Sequence, residues 1–134
     1  MLEIEDVDLE VDEKRFRPNF LVNGSFPAFD EETWVWVKMG DVVFRYSQVS
    51  IYSQNFDKKK LVYQVCPRCE FICVDPEMGD KHPNNEPLKT LMKYRFALDP
   101  EEKKFYGSNP FFGINLSVEV PGEVHVGDKV LVSK

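Results

Sequence analysis

The sequence predicts a mainly β fold, a barrel or a sandwich, with one short amphipathic helix near residues 86–96. Short apolar runs recur along the chain, and turn-forming pairs such as Pro121-Gly122 and Gly127-Asp128 separate them. This spacing is typical of small antiparallel β domains. The predicted strands cover residues 7–11, 20–22, 34–37, 42–44, 71–74, 111–113, 116–120, 124–126 and 130–132.

The clearest predicted hairpin surrounds Met39-Gly40-Asp41. An apolar segment lies on each side of these three residues, and Gly40 can adopt the positive φ that a tight turn requires. Residues 47–60 are rich in Ser, Gln, Asn and Lys. We expect them to form a long hairpin loop, although such loops are uncommon in a compact domain.

The single helix is predicted from the spacing of Leu88, Leu91 and Met92, which we expect to contact the core. Asn84 or Asn85 can cap its start, and Pro87 suits its first turn.

Composition and charge narrow the class of protein. The chain has 134 residues and is 43% hydrophobic, enough for one domain with a core. Its net charge is -6, and its first 14 residues are strongly acidic, so a nucleic-acid surface is a poor expectation. No apolar run could span a bilayer, and the acidic start is unlike a secretory signal or a transit peptide. Three closely spaced cysteines favour reduced thiols in an intracellular compartment.

Cys66-Pro67-Arg68-Cys69 is the first cluster that could carry chemistry. A zinc site would need further ligands from Cys73, His82 or His125. A thioredoxin-like dithiol would need a helix after the motif, whereas the flanking residues suggest strands. In a third interpretation the cysteines are buried in the core as small apolar residues, and this interpretation suits Cys73 best. In a fourth interpretation Cys69 is a thiolate that binds a soft transition metal, favoured by the neighbouring Arg68 cation, which could also hold an anionic cofactor.

Arg15-Phe16-Arg17-Pro18-Asn19 is the second cluster. Pro18 should force Arg17 into an extended conformation, so that its guanidinium can fork onto a phosphate or a pterin carbonyl. Asn19 adds an amide that both donates and accepts. Alternatively, Arg17 is a surface residue paired with the acidic N-terminal stretch.

These two clusters begin a series of motifs that resembles the MOSC domain in order and residue type. The series continues with Val74-Asp75-Pro76-Glu77-Met78-Gly79, residues 86–95, Phe105-Tyr106-Gly107, Phe112-Gly113 and Val126-Gly127-Asp128. The similarity is closest to the mitochondrial amidoxime-reducing component branch, followed by the C-terminal domain of molybdenum cofactor sulfurase.

The resemblance implies an incomplete MOSC-type β-barrel that holds the molybdenum cofactor, a molybdopterin. It implies an oxidoreductase, or part of one, that reduces N-hydroxylated compounds with electrons from a cytochrome b5-type partner. Cys69 matches the catalytic cysteine that ligates molybdenum. The residues that match cofactor contacts are Arg17, Asn19, Pro67, Arg68 and Asp75. The branch also implies the mitochondrial outer membrane, with an anchor outside this sequence, and pyridoxal phosphate is expected only if an upstream domain carries it.

Residues 15–134 are expected to be the C-terminal part of a MOSC domain, preceded by the acidic stretch 1–14, and this chain alone could be inactive. The segment 49–64 is longer than the family pattern, and its removal restores the expected spacing. It is either a retained short intron or a true hairpin insertion. Two other functions stay open: the sulfur-carrying MOSC domain of a cofactor sulfurase, and a non-enzymatic zinc-binding or interaction module.

Overall fold

A computed structural model describes residues 11–52 and 59–134, and it confirms the mainly β prediction. The eight strands of this described part are β1 Trp36–Met39, β2 Val42–Tyr46, β3 Gln48–Tyr52, β4 Lys59–Tyr63, β5 Val65–Pro67, β6 Phe111–Ile114, β7 Leu116–Val120 and β8 Val130–Ser133. The α-helices are α1 Leu88–Leu91 and α2 Pro100–Tyr106, and three 3-10 helices cover Glu13–Phe16, Asp30–Thr33 and Glu70–Cys73.

The strands form one four-stranded sheet in the order β7-β2-β1-β8 and two ladders, β3-β4 and β5-β6. The neighbours in the four-stranded sheet and in the β3-β4 ladder run antiparallel. In the described part of the chain these sheets stay open, as expected of an incomplete barrel. None of the described helices is long and apolar enough to cross a membrane.

The chain divides into two compact units. One, here called the sheet unit, comprises residues 22–66 and 113–134. Alternate residues of β1 and β2 are buried because one face of the sheet packs on a core. That core contains Trp34, Val37, Met39, Val42 and Phe44. The β1–β2 hairpin has the predicted turn, and Gly40 adopts the expected positive φ of 54°.

The other, here called the cysteine unit, comprises the described residues 11–21 together with 67–112. Its core contains Phe16, Ile72, Cys73 and Leu91, and the partly buried Val11, Leu88 and Phe112 pack against them. The rings of Phe16 and Phe112 stack with their centroids 4.3 Å apart. This small core joins the segments that carry the two sequence clusters.

Three predicted strands are wrong. Residues 20–22 form no strand, and Leu21 is 67% exposed. Residues 71–74 lie mostly in a 3-10 helix, because Ile72 and Cys73 are both fully buried and a strand would turn neighbouring side chains to opposite faces. Residues 124–126 are held outside the sheet by a local turn, in which the His125 N–H donates to the Asp128 carboxylate at 2.8 Å.

The helix prediction is correct in place and wrong in detail. α1 is only one turn long, and Met92 is 47% exposed rather than a core contact. Neither Asn84 nor Asn85 caps it; the buried Glu86 carboxylate instead accepts the Thr90 N–H at 3.1 Å. The second helix, α2, was not predicted, although Asp99 before Pro100 is a capping signal.

Two predictions involve residues beyond the described ranges. The strand expected at residues 7–11 lies outside them except for Val11, which packs against the cysteine-unit core. The expected loop at residues 47–60 is wrong where it can be compared, since Gln48–Tyr52 and Lys59–Tyr63 pair as β3 and β4. Residues 53–58 lie outside the described residues.

Candidate functional site

The first part of the site is the arginine turn, residues 12–17. Asp12 begins the 3-10 helix by accepting the Lys14 N–H at 2.8 Å, and Arg17 ends it. Arg17 has φ 50° and ψ 51°, so the expectation of an extended Arg17 is wrong. The closing hydrogen bond from Arg17 N to the Lys14 carbonyl, at 3.0 Å, outweighs the preference that Pro18 imposes.

The second part is the cysteine turn, residues 67–73. Pro67 ends β5 and is exposed. Arg68 N donates to the Pro110 carbonyl at 2.8 Å, and Cys69 then starts the 3-10 helix with its carbonyl accepting the Ile72 N–H at 3.2 Å. The Cys69 thiol is exposed, so it is available to a ligand.

Arg68 links the two turns. Its Nη1 donates to the Phe16 carbonyl and its Nε to the Phe112 carbonyl, each at 2.7 Å. Its guanidinium carbon lies 5.5 Å from the centroid of the Phe16 ring. Two of its three side-chain nitrogens therefore donate to main-chain carbonyls. These hydrogen bonds give Arg68 a structural role that the sequence did not predict.

Arg17 provides a second link. Its guanidinium carbon lies 5.3 Å from the centroid of the Phe71 ring, and Phe71 belongs to the 3-10 helix that Cys69 begins. Arg17 and Asn19 are both exposed. The arginine turn thus presents a cation to solvent, and Asn19 just after it presents an amide.

Arg15 is a third link, which sequence reasoning did not single out. It is only 8% exposed and donates from Nη1 to the Cys73 carbonyl and from Nη2 to the Asp75 carboxylate, both at 3.2 Å. Its Nε has no partner within the described part of the chain. No local signal separated Arg15 from Arg17, because a two-residue alternation would place both arginines on the same side of the chain.

Asp75 organises the loop after the cysteine turn. One carboxylate oxygen accepts the N–H groups of Glu77 and Met78 at 2.9 and 2.8 Å, and the other pairs with Arg15. The Met78 and Glu77 hydrogen bonds, followed by the Arg15 charge, lower the pKa of this carboxyl group below its usual value. Asp75 is therefore an ionised structural acceptor at neutral pH.

The zinc alternative finds no support in the part of the chain that the structure describes. There, no three His, Cys, Asp or Glu side chains converge as a metal site. Cys66 is half-buried, and Cys73 is fully buried, as predicted. Burial raises the pKa of the Cys73 thiol, which makes this residue a poor metal ligand.

The cysteine unit thus contains all six residues predicted for the site: Arg17, Asn19, Pro67, Arg68, Cys69 and Asp75. Arg68 is hydrogen-bonded to the arginine turn, Arg17 contacts the cysteine turn through Phe71, and Asp75 holds Arg15. The donors left at the surface are a thiol, a guanidinium and an amide. A soft ligand and an exposed guanidinium in the same unit are chemically suited to a metal cofactor that carries a phosphate.

Comparison of the sequence with known proteins finds a family model and several relatives that agree with one another. The family model of the MOSC domain matches residues 2–131. Mitochondrial amidoxime reducing component 2 of Bos taurus is 42% identical over 117 residues, 86% of this chain and 29% of that protein. Mitochondrial amidoxime-reducing component 1 of Homo sapiens is 34% identical over 124 residues, 92% of this chain and 31% of that protein.

A more distant relative is molybdenum cofactor sulfurase of Oryza sativa subsp. japonica, 32% identical over 87 residues, 65% of this chain and 8% of that protein. The chain spans less than a third of the length of the curated relatives named above. Because the family model covers nearly all of the sequence, the chain belongs to the MOSC domain family.

Proposed function

We propose that this chain is the cofactor-holding C-terminal part of a molybdenum-dependent oxidoreductase, with Cys69 as the metal ligand. The observation that carries the proposal is the exposed Cys69 thiol in a turn that Arg15, Arg17 and Arg68 tie to the arginine turn. Thiolates are suitable ligands for soft transition metals. The names of the two amidoxime-reducing relatives support this branch of the family.

In this proposal the exposed residues bind the cofactor, and the partly buried residues hold those exposed residues in place. Arg17 and Asn19 hold the anionic and polar groups of the molybdopterin, Pro67 lines it, and Arg68 and Asp75 support the site through Phe16 and Arg15. When bound, the cofactor supplies the two-electron redox chemistry. The substrate is an N-hydroxylated compound, whose reduction consumes two electrons and two protons and releases water.

The same branch suggests the partner and the location. We propose a mitochondrial location, because both relatives carry the word mitochondrial in their names. The outer membrane and a cytochrome b5-type electron donor are proposed from the resemblance of the motifs to this branch alone. Co-purification of a tagged chain from fractionated mitochondria tests both proposals. Recovery in the cytosol without a haem protein would contradict them.

Metal analysis of the purified chain tests the central proposal. Produced in cells that make the cofactor, the parent chain should contain stoichiometric molybdenum and pterin, and Cys69→Ala should lose the metal. Cys66→Ala is the matched control, because it removes a thiol three residues away and should keep the molybdenum. Zinc in place of molybdenum, or equal metal in the parent and in Cys69→Ala, would contradict the proposal.

The sulfur-carrying domain of a cofactor sulfurase is the second candidate, favoured by the similarity to the rice sulfurase. Sequencing the gene upstream separates the two candidates. A domain with a pyridoxal-phosphate lysine would support the sulfurase, and its absence from the complete gene would support the reductase.

A further inference from the structure

Arg17 is held in a backbone conformation that non-glycine residues rarely adopt. The peptide group between Phe16 and Arg17 is hydrogen-bonded on both sides, since its carbonyl accepts from Arg68 at 2.7 Å and its N–H donates to the Lys14 carbonyl at 3.0 Å. A left-handed non-glycine residue costs free energy and persists only when its surroundings fix it. The main chain of Arg17 is therefore set by these contacts.

Phe71 contacts the side chain of Arg17. Phe71 is 64% exposed, whereas the next two residues of the same 3-10 helix, Ile72 and Cys73, are fully buried. Phe71 does not belong to the cysteine-unit core, so core packing does not account for an aromatic residue there. Its described contact is the guanidinium of Arg17 at 5.3 Å from the ring centroid.

We infer that Phe71 is a positioning residue that holds Arg17 for anion binding. A guanidinium over an aromatic face keeps its N–H groups at the rim available, and those groups match the oxygens of a phosphate. Because Phe71 belongs to the 3-10 helix that Cys69 begins, its contact with Arg17 ties this cation to the cysteine turn. The inference rests on the proposed function in one respect: the anion is taken to be the phosphate of the molybdopterin.

A purely structural cation–π contact would stabilise the fold without affecting a ligand, so the test uses binding. The probe is inorganic pyrophosphate, titrated into the full chain and followed by isothermal titration calorimetry, which needs no signal from Arg17 itself. Phe71→Leu should weaken pyrophosphate binding about two- to fivefold, the effect of losing one exposed cation–π contact. Phe71→Trp should retain parent affinity, because a tryptophan ring offers the same interaction.

The control is Phe96→Leu, which makes the same change at another exposed phenylalanine of the cysteine unit and should leave the affinity unchanged. In the Arg17→Ala background, Phe71→Leu should have no further effect, since the positioned group is gone. Equal pyrophosphate affinity in the parent and in Phe71→Leu, or an equal Phe71→Leu effect with and without Arg17, would overturn the inference.

Pterin retention distinguishes this inference from the proposed function. Chains loaded during expression should lose pterin about two- to fivefold faster on dialysis when they carry Phe71→Leu. If the parent holds no molybdenum or pterin while the pyrophosphate pattern appears, the proposed function fails and Phe71 still positions Arg17. If the parent holds the cofactor but Phe71→Leu loses it at the parent rate, only the Phe71 inference fails.

Discussion

Arg68 donates from Nη1 to the main-chain carbonyl of Phe16 across 2.7 Å, so a residue of the cysteine turn fixes the end of the arginine turn. The same side chain donates from Nε to Phe112, whose ring stacks on Phe16. The residue next to the candidate metal ligand thus belongs to the framework of the cysteine unit. Changes at Arg68 should alter stability as well as cofactor content.

Arg68→Lys should lower the free energy of unfolding by about 1.5–3 kcal/mol. A lysine ammonium is a single point and cannot donate to both carbonyls in the geometry of a guanidinium. Urea denaturation measures the loss. Arg45→Lys is the control, because its guanidinium lies over Trp36 at 5.4 Å and its replacement should cost less than about 1 kcal/mol. Equal losses in the two variants would contradict the bridging role of Arg68.

Asp75→Asn should flatten the acid side of the stability profile. Hydrogen bonds from Met78 and Glu77 and the Arg15 charge lower the pKa of Asp75 in the folded chain, while the unfolded value is about 3.9. The stabilisation is therefore present above about pH 4 and is lost as the pH falls through the folded pKa. Asparagine can keep the turn, so unfolding measured between pH 2 and 7 isolates the charge. Parallel profiles for parent and variant would refute this assignment.

Cys69 and Cys73 should differ strongly in reactivity. Cys69 is exposed, whereas Cys73 is buried and burial raises the pKa of its thiol. Iodoacetamide should label Cys69 in the native chain at least ~100-fold faster than Cys73, which requires local opening. Peptide mass mapping over time gives both rates, and labelling in urea should make them similar. Rapid native labelling of Cys73 would show that the core differs from this structure.

Gly40→Ala should destabilise the sheet unit more than Gly79→Ala destabilises the cysteine unit. Both glycines have positive φ, 54° and 77°, which costs an alanine about 1–2 kcal/mol. A Cβ at Gly40 would also lie 2.5 Å from the Asp128 carboxylate and 2.6 Å from the Glu123 carbonyl, whereas nothing lies within 4 Å at Gly79. Thermal unfolding compares the variants, and equal losses would rule out the close packing at Gly40.

Deletion of residues 49–64 should leave a folded domain. In the described part of the chain, β3 pairs only with β4, so the ladder can be removed as a unit. The expected loss is about 2–4 kcal/mol, because the buried Ile51 and Val62, the hydrogen bond from Asn115 N to the Gln64 carbonyl at 2.9 Å and the Tyr46–Tyr63 ring contact at 4.6 Å all disappear. Circular dichroism and urea unfolding measure this. A variant that does not fold would favour a true insertion, and abundant RNA that reads through the segment would exclude a retained intron.

The β strands near the β1–β2 turn and at the end of the chain were predictable because their signals are local. An apolar segment on each side of Gly40 predicted the hairpin and Gly40 marked the turn, whereas the sheet decided that Val37 and Phe44 face the core. The strand prediction failed at residues 71–74, where a compact 3-10 helix buries both Ile72 and Cys73. The 3-10 helix is supported by Arg15, which donates to the Cys73 carbonyl. Arg15 lies far away in the sequence, so no local pattern could predict this contact.

The sequence by itself determined the family, the mainly β class and the chemical types that meet in the site, because motif order and side-chain chemistry are properties of the chain. Only the tertiary structure decided which arginine faces solvent. Arg15 is buried against Asp75, Arg68 is engaged by two carbonyls, and Arg17 stays exposed over Phe71. The physical reason is that buried donors need acceptors, and the carbonyls of Cys73, Phe16 and Phe112 reach those donors only after the chain has folded.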